Sequence, residues 1–166
     1  IEENLSLAHS RTTVGPLSFA PGKKEIALFR DRLAEFGMGL EDRMKTKVGL
    51  LSGGQRQAVT LLMCTIVPPQ LLLLDEHTAA LDPATAEKVM DITRRVVAQY
   101  NLTTLMITHN MRAALTTGTR TIMMDEGRIL FDLKGEEREK TTLDDLLQMY
   151  SARKNKDFAN DRMLLD

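Results

Sequence analysis

The sequence predicts an α/β fold built on a parallel sheet flanked by helices, and three features predict it. Leu71–Leu74, Leu105-Met106-Ile107 and Ile122-Met123-Met124 are short, uninterrupted apolar runs of strand length. The segments between them are long enough for the crossover that parallel strands require. The first of these segments opens with Asp82-Pro83, an N-cap followed by a first helical position. It then carries Ala86, Val89, Met90, Thr93, Val96, Val97 and Tyr100 on one broad face. Strand, helix, strand, helix, strand is the order that makes such a sheet.

The first third is helical and irregular. After a loop from Val14-Gly15-Pro16 to Pro21-Gly22, Ile26, Phe29, Leu33 and Phe36 recur at helical spacing, and Gly37 and Gly39 stop that helix. A polar, basic stretch through Arg43, Lys45 and Lys47 leads to Leu51-Ser52-Gly53-Gly54-Gln55. A mostly buried helix follows through Ala58, Leu61, Leu62, Thr65 and Ile66 until Pro68-Pro69 ends it.

The four leucines that come next are expected to form a strand buried on both faces, because nothing polar alternates with them. Leu105–Ile107 reads as a second buried strand, 110–115 as a helix and Ile122–Met124 as a third strand. Glu126-Gly127 supplies a tight turn into Ile129, Phe131 and Leu133, which alternate as a hairpin partner would. A charged segment from Lys134 to Lys140 leads to a terminal helix near Leu143–Met149 and a polar tail. These elements suggest a helical part over 1–67, a sheet-bearing part over 68–134 and a helical tail over 135–166.

Composition narrows the function classes. The chain has 166 residues with 43% hydrophobic and 27% charged, ordinary for a globular domain. A formal net charge of −1 gives no global basic field, and 4% aromatics without Trp leave no base-stacking platform, so nucleic acid is not an expected partner. No apolar run reaches the roughly 18–20 residues needed to cross a bilayer. The single cysteine, Cys64, has no internal partner and is expected to be a buried thiol in an apolar run.

Four short elements carry chemistry. Ser52-Gly53-Gly54-Gln55 opens a helix, where small residues and free N–H groups suit a phosphate; Ser-x-x-Gln is equally an N-terminal capping box. Asp75-Glu76 places two carboxylates at the carboxyl end of a strand, where α/β folds bind ligands, although a charged pair often simply ends a buried strand. Ala80-Leu81-Asp82 is at minimum the cap of the next helix. His109, after Thr108 at the end of the second strand, lies at a sheet edge where a γ-phosphate would be reached, yet a lone strand-end histidine is more often structural.

In order and spacing these elements together resemble the ATP-binding-cassette ATPases, over nearly the whole chain. Leu51–Gln55 is similar to the signature motif, Leu71–Glu76 to the Walker B strand, Ala80–Asp82 to the D-loop and His109 to the switch histidine. Ile1-Glu2-Glu3-Asn4 resembles the stretch after the glutamine loop.

The run Leu74-Asp75-Glu76-His77-Thr78-Ala79-Ala80-Leu81-Asp82-Pro83 has His77 where most members have proline. With Thr108–Met111 and Met123–Arg128 it resembles ATP-binding subunits of tryptophan/tyrosine-type importers. His77 is expected to shape the turn after Glu76.

The resemblance implies a partial P-loop NTPase fold with a helical signature subdomain, with ATP and Mg²⁺ as cofactors. Glu76 would orient the lytic water, Asp75 would support Mg²⁺ through water, and His109 would contact the γ-phosphate. Ser52, Gly53, Gly54 and Gln55 would close over ATP bound to a second copy, and Asp82 would communicate across that dimer. It further implies a membrane permease, a solute-binding protein and a peripheral place on the cytoplasmic face of the membrane.

The activity implied is ATP hydrolysis coupled to import of a small solute such as an amino acid. The alternatives are a soluble ATPase of the same family in DNA repair or on ribosomes, or a non-catalytic interaction piece. No G-x-x-x-x-G-K-[ST] occurs, and Gly22-Lys23-Lys24 lacks both the upstream glycine and the hydroxyl residue of a phosphate loop. The sequence alone is therefore expected to bind ATP poorly, to expose an apolar sheet face or edge, and to self-associate.

Overall fold

The computed structural model describes residues 1–12 and 21–152. Most of the expected loop before Pro21 and the polar tail beyond Ala152 lie outside these. The chain divides into two compact units, with the boundary in sequence between Ile107 and Thr108.

The first unit contains α1 (Glu2–His9), a 3-10 turn at Ser10–Thr12, α2 (Lys23–Ala34), a second such turn at Val48–Leu50, and α3 (Gly53–Thr65). It continues with β1 (Leu71–Asp75), α4 (Pro83–Gln99) and β2 (Thr103–Ile107). The Gly22 N–H donates to Glu25 Oε2 at 2.7 Å where α2 begins. The helix buries Phe29 and Leu33, and the left-handed glycines Gly37 and Gly39, at φ 61° and 66°, reverse the chain behind it. Leu5, Phe29, Leu33, Leu40, Ala58, Val59, Leu62, Leu72, Ile92 and Val96 belong to one hydrophobic core.

Helix α3 turns Ala58, Val59, Leu61, Leu62 and Thr65 inward. Cys64 sits on the opposite side of that helix and is exposed. The expected buried thiol is therefore corrected: an apolar neighbourhood in sequence does not fix which face of a helix a residue occupies.

Strands β1 and β2 are parallel, in register from Leu71↔Thr103 to Asp75↔Ile107. The expectation that they are buried on both faces fails. Leu72 is 3% exposed, but Leu71, Leu73, Leu105 and Ile107 are 51%, 64%, 53% and 54% exposed. Side chains alternate along a strand, and the core of α2, α3 and α4 meets only the face that Leu72 lines. The other face is the apolar surface the sequence led us to expect.

The second unit contains α5 (Met111–Thr116), β3 (Arg120–Asp125), β4 (Arg128–Lys134), α6 (Gly135–Lys140) and a last helix, α7, over residues 143–152. Among the described residues β3 pairs only with β4, antiparallel, so the third expected strand does not join the parallel pair. The two-residue loop is the expected one: Glu126 and Gly127 have φ 47° and 75°, the positive pair that matches the twist of a hairpin.

The charged segment after Lys134 forms a short helix, α6, at the start of the part expected to be a helical tail. Glu136 and Glu137 occupy its first turn and Arg138 and Lys140 its last, the order that suits the helix dipole. Arg138 ties α6 to its neighbours. Its Nε donates to Thr121 Oγ1 at 3.0 Å and its Nη2 to the Thr117 carbonyl at 2.9 Å. No helix among the described residues is long and apolar enough to cross a membrane.

Candidate functional site

The Ser52 turn is built as a complete capping box. Ser52 Oγ accepts from the Gln55 N–H at 3.3 Å, and Gln55 Oε1 accepts from the Ser52 N–H at 3.3 Å. Two further bonds hold Gln55: Arg43 Nη1 donates to the same Oε1 at 3.0 Å, and Gln55 Nε2 donates to the Met38 carbonyl at 3.2 Å. The glycines between them are required by close packing. A Cβ on Gly53 would stand 2.9 Å from Leu81 Cδ2, and one on Gly54 would overlap Thr85 Cγ2. The start of α3 therefore lies directly against the start of α4.

Asp82 caps α4, its Oδ1 accepting from the Thr85 N–H at 3.0 Å. Hydrogen bonds from Thr85, through its side chain and its backbone, hold this exposed carboxyl below the usual carboxylate value.

Asp75 closes β1 and is exposed, as is Glu76 after it. Glu76 has φ 43°, a left-handed backbone that a residue with a Cβ adopts only under constraint. Its N–H donates to the Ile107 carbonyl at 3.0 Å and its carbonyl accepts from the Ala79 N–H at 3.0 Å. The Thr78 carbonyl then accepts from the Leu81 N–H at 3.2 Å. One compact turn thus has the two carboxylates at its start and, at its end, the leucine packed on Gly53. His77, inside this turn, is half-buried, with Nε2 3.2 Å from Thr93 Oγ1 on α4, and burial pushes its pKa down.

The structure brings together Ser52, Gly53, Gly54, Gln55 and Asp82, and joins Asp75 and Glu76 to them through the turn. His109 lies two residues beyond the end of β2. It is exposed in the segment between β2 and α5 that begins the second unit, beside an Asn110 whose N–H donates to Thr108 Oγ1 at 3.0 Å. Arg43, Thr85 and the His77–Thr93 pair were not read from sequence, because each acts across a gap that no local pattern marks.

Comparison with known proteins finds relatives of this chain in sequence and in fold. The ABC transporter family matches residues 3–79. A tyrosine transport ATP-binding protein of Clostridioides difficile is 40% identical over 150 residues, covering 90% of this chain and 59% of that protein. A methionine import ATP-binding protein of Bacillus thuringiensis is 36% identical over 152 residues, covering 86% and 44%. The chain thus spans about half the length of the curated relatives it matches.

Among solved structures, an ATP-binding cassette described as a dimer in a post-hydrolysis state with ADP and Pi aligns with TM-score 0.61 at 28% identity, covering 80% of this chain and 55% of that one. A nucleotide-free cassette from an ABC transporter aligns with TM-score 0.64 at 26% identity, covering 89% and 61%. The chain thus carries an ABC transporter family domain over residues 3–79 and is similar along most of its length to ATP-binding subunits of that family.

Proposed function

We propose that this chain supplies two parts of an ATP-hydrolysing importer subunit: the carboxylate edge that acts on its own nucleotide, and the Ser52 turn that closes over the nucleotide of a second copy. The observation that carries this reading is the packing of Gly53 and Gly54 on Leu81 and Thr85. It makes the Ser52 turn and the exposed Asp82 cap one rigid surface, able to meet a partner as a unit. Import of a small solute such as an amino acid is supported by relatives named for tyrosine and methionine transport. A permease, a solute-binding protein and a place at the cytoplasmic membrane face follow from the same relationship.

In this reading the Glu76 carboxylate accepts a hydrogen bond from the attacking water and takes up its proton as the water oxygen bonds to the γ-phosphorus, while the bond from that phosphorus to the bridging oxygen breaks and ADP leaves with the electron pair. His109 donates to a γ-phosphate oxygen. The Ser52 hydroxyl accepts the Gln55 N–H and still has its own O–H to donate, and the N–H groups at the start of α3 present partial positive charge. Both would face the γ-phosphate held by the second copy. Asp82 would contact that copy across the interface.

Among the described residues no three His, Cys, Asp or Glu side chains cluster as a metal site. Mg²⁺ is commonly held by one or two carboxylates with the substrate phosphates and water, and in this reading the exposed Asp75 at the end of β1 would hold it through water. Bound there, the ion would neutralise phosphate charge.

Glu76→Gln in the intact subunit tests the assignment. Hydrolysis should fall by at least about 100-fold while ATP is still bound. Turnover within a few-fold of wild type would remove Glu76 from this role.

A further inference from the structure

We propose that His77 and Thr93 form a positioning pair that locks the Glu76 turn onto α4 and so sets the direction of the Glu76 carboxylate. The proposal rests on the reading of Glu76 as the group that orients the attacking water.

Glu76 is held in a left-handed conformation, with φ 43°, that its side chain disfavours, so the surrounding structure must impose it. Two backbone bonds act on Glu76 itself, from its N–H to the Ile107 carbonyl and from the Ala79 N–H to its carbonyl. The second of these closes a four-residue turn with His77 in its second position, but a histidine lacks the ring that in proline would fix φ there.

The His77 ring supplies the restraint. Its Nε2 lies 3.2 Å from Thr93 Oγ1, sixteen residues along the chain. Thr93 is 4% exposed, between Ile92 and Val96 on the inward face of α4, which makes it an anchor in the rigid core. The Thr93 hydroxyl donates its only proton to the Val89 carbonyl at 2.9 Å. While that bond is made the hydroxyl can only accept from His77, so the proposal assigns the hydrogen to Nε2. A directed chain runs from the core helix through Thr93 and His77 to the residue beside them that bears the carboxylate. A misplacement of about an ångström at a reacting group is enough to cost large factors in rate without affecting how substrate is held.

The test uses His77→Ala, Thr93→Val, the double variant and Thr93→Ser in the intact subunit, with Glu76→Gln alongside. His77→Ala and Thr93→Val should each lower kcat about tenfold or more with KM for ATP within about twofold of wild type. The double variant should be no slower than either single one, because both remove the same bond. Thr93→Ser, which keeps the oxygen, should restore the rate.

In ¹⁵N spectra of the His77 ring, the wild type should show the Nε2–H tautomer, and Thr93→Val should lose that preference. Unchanged kcat in His77→Ala, or additive losses in the double variant, would overturn the pair. Should Glu76→Gln still hydrolyse ATP, the assignment of Glu76 falls and the pair with it. Should Glu76→Gln be inactive while His77→Ala is unimpaired, the positioning role alone fails.

Discussion

A methyl group on residue 54 has nowhere to go, because Thr85 Cγ2 already occupies its place. Gly54→Ala is expected to destabilise the chain by about 1–3 kcal/mol in urea unfolding, the usual cost of overpacking. Thr85→Ser, which removes that methyl group, should recover most of the loss. Equal stability of Gly54→Ala and wild type would mean that the glycine is not there for packing.

Asp82 gives a prediction in pH. Its folded pKa lies below the ordinary value of 3.8, so its contribution is present above that value and lost as pH falls through the lower, folded one. Wild type should therefore exceed Asp82→Asn in urea midpoint at neutral pH, and the gap should close on acidification below 3.8. A gap that persisted in strong acid would contradict the charged cap. Both caps were legible in the sequence because a capping bond spans only three residues. The Arg43–Gln55 and His77–Thr93 contacts were not, because their partners are twelve and sixteen residues apart.

Elements differ in how plainly a sequence announces them. The β3–β4 hairpin was evident because Glu126-Gly127 and the alternation around it are local. Gly127, at φ 75°, should cost about 1 kcal/mol of stability when changed to alanine, read from thermal unfolding of the second unit. No loss would mean that the turn relaxes to another type.

Strand β1 was legible as a strand and illegible in its burial. Four consecutive leucines carry no alternation, so the exposed side of Leu71 and Leu73 cannot be told from the buried side of Leu72. Cys64 is the same problem on a helix. Helix α6 lies within the expected helical tail, but its six charged residues show no apolar period that would mark its bounds, and Arg138 secures it through bonds to Thr121 and Thr117.

At the scale of the whole molecule, two features set what the chain does. One is the apolar face of the β1–β2 pair, with Leu73 64% and Ile107 54% exposed, a surface of the kind that invites a covering layer. The other is the surface formed by Ser52, the two glycines and Asp82, which in the function proposed would close over a nucleotide held by a second copy.

Sedimentation velocity of the intact Glu76→Gln subunit, with and without ATP, tests that second feature most directly when repeated with Ser52→Arg added. An arginine at position 52 would fill the space the partner's γ-phosphate needs. Glu76→Gln should form an ATP-dependent dimer and Glu76→Gln/Ser52→Arg should stay monomeric; an ATP-driven dimer of the double variant would rule out the Ser52 turn as the surface that closes over the nucleotide.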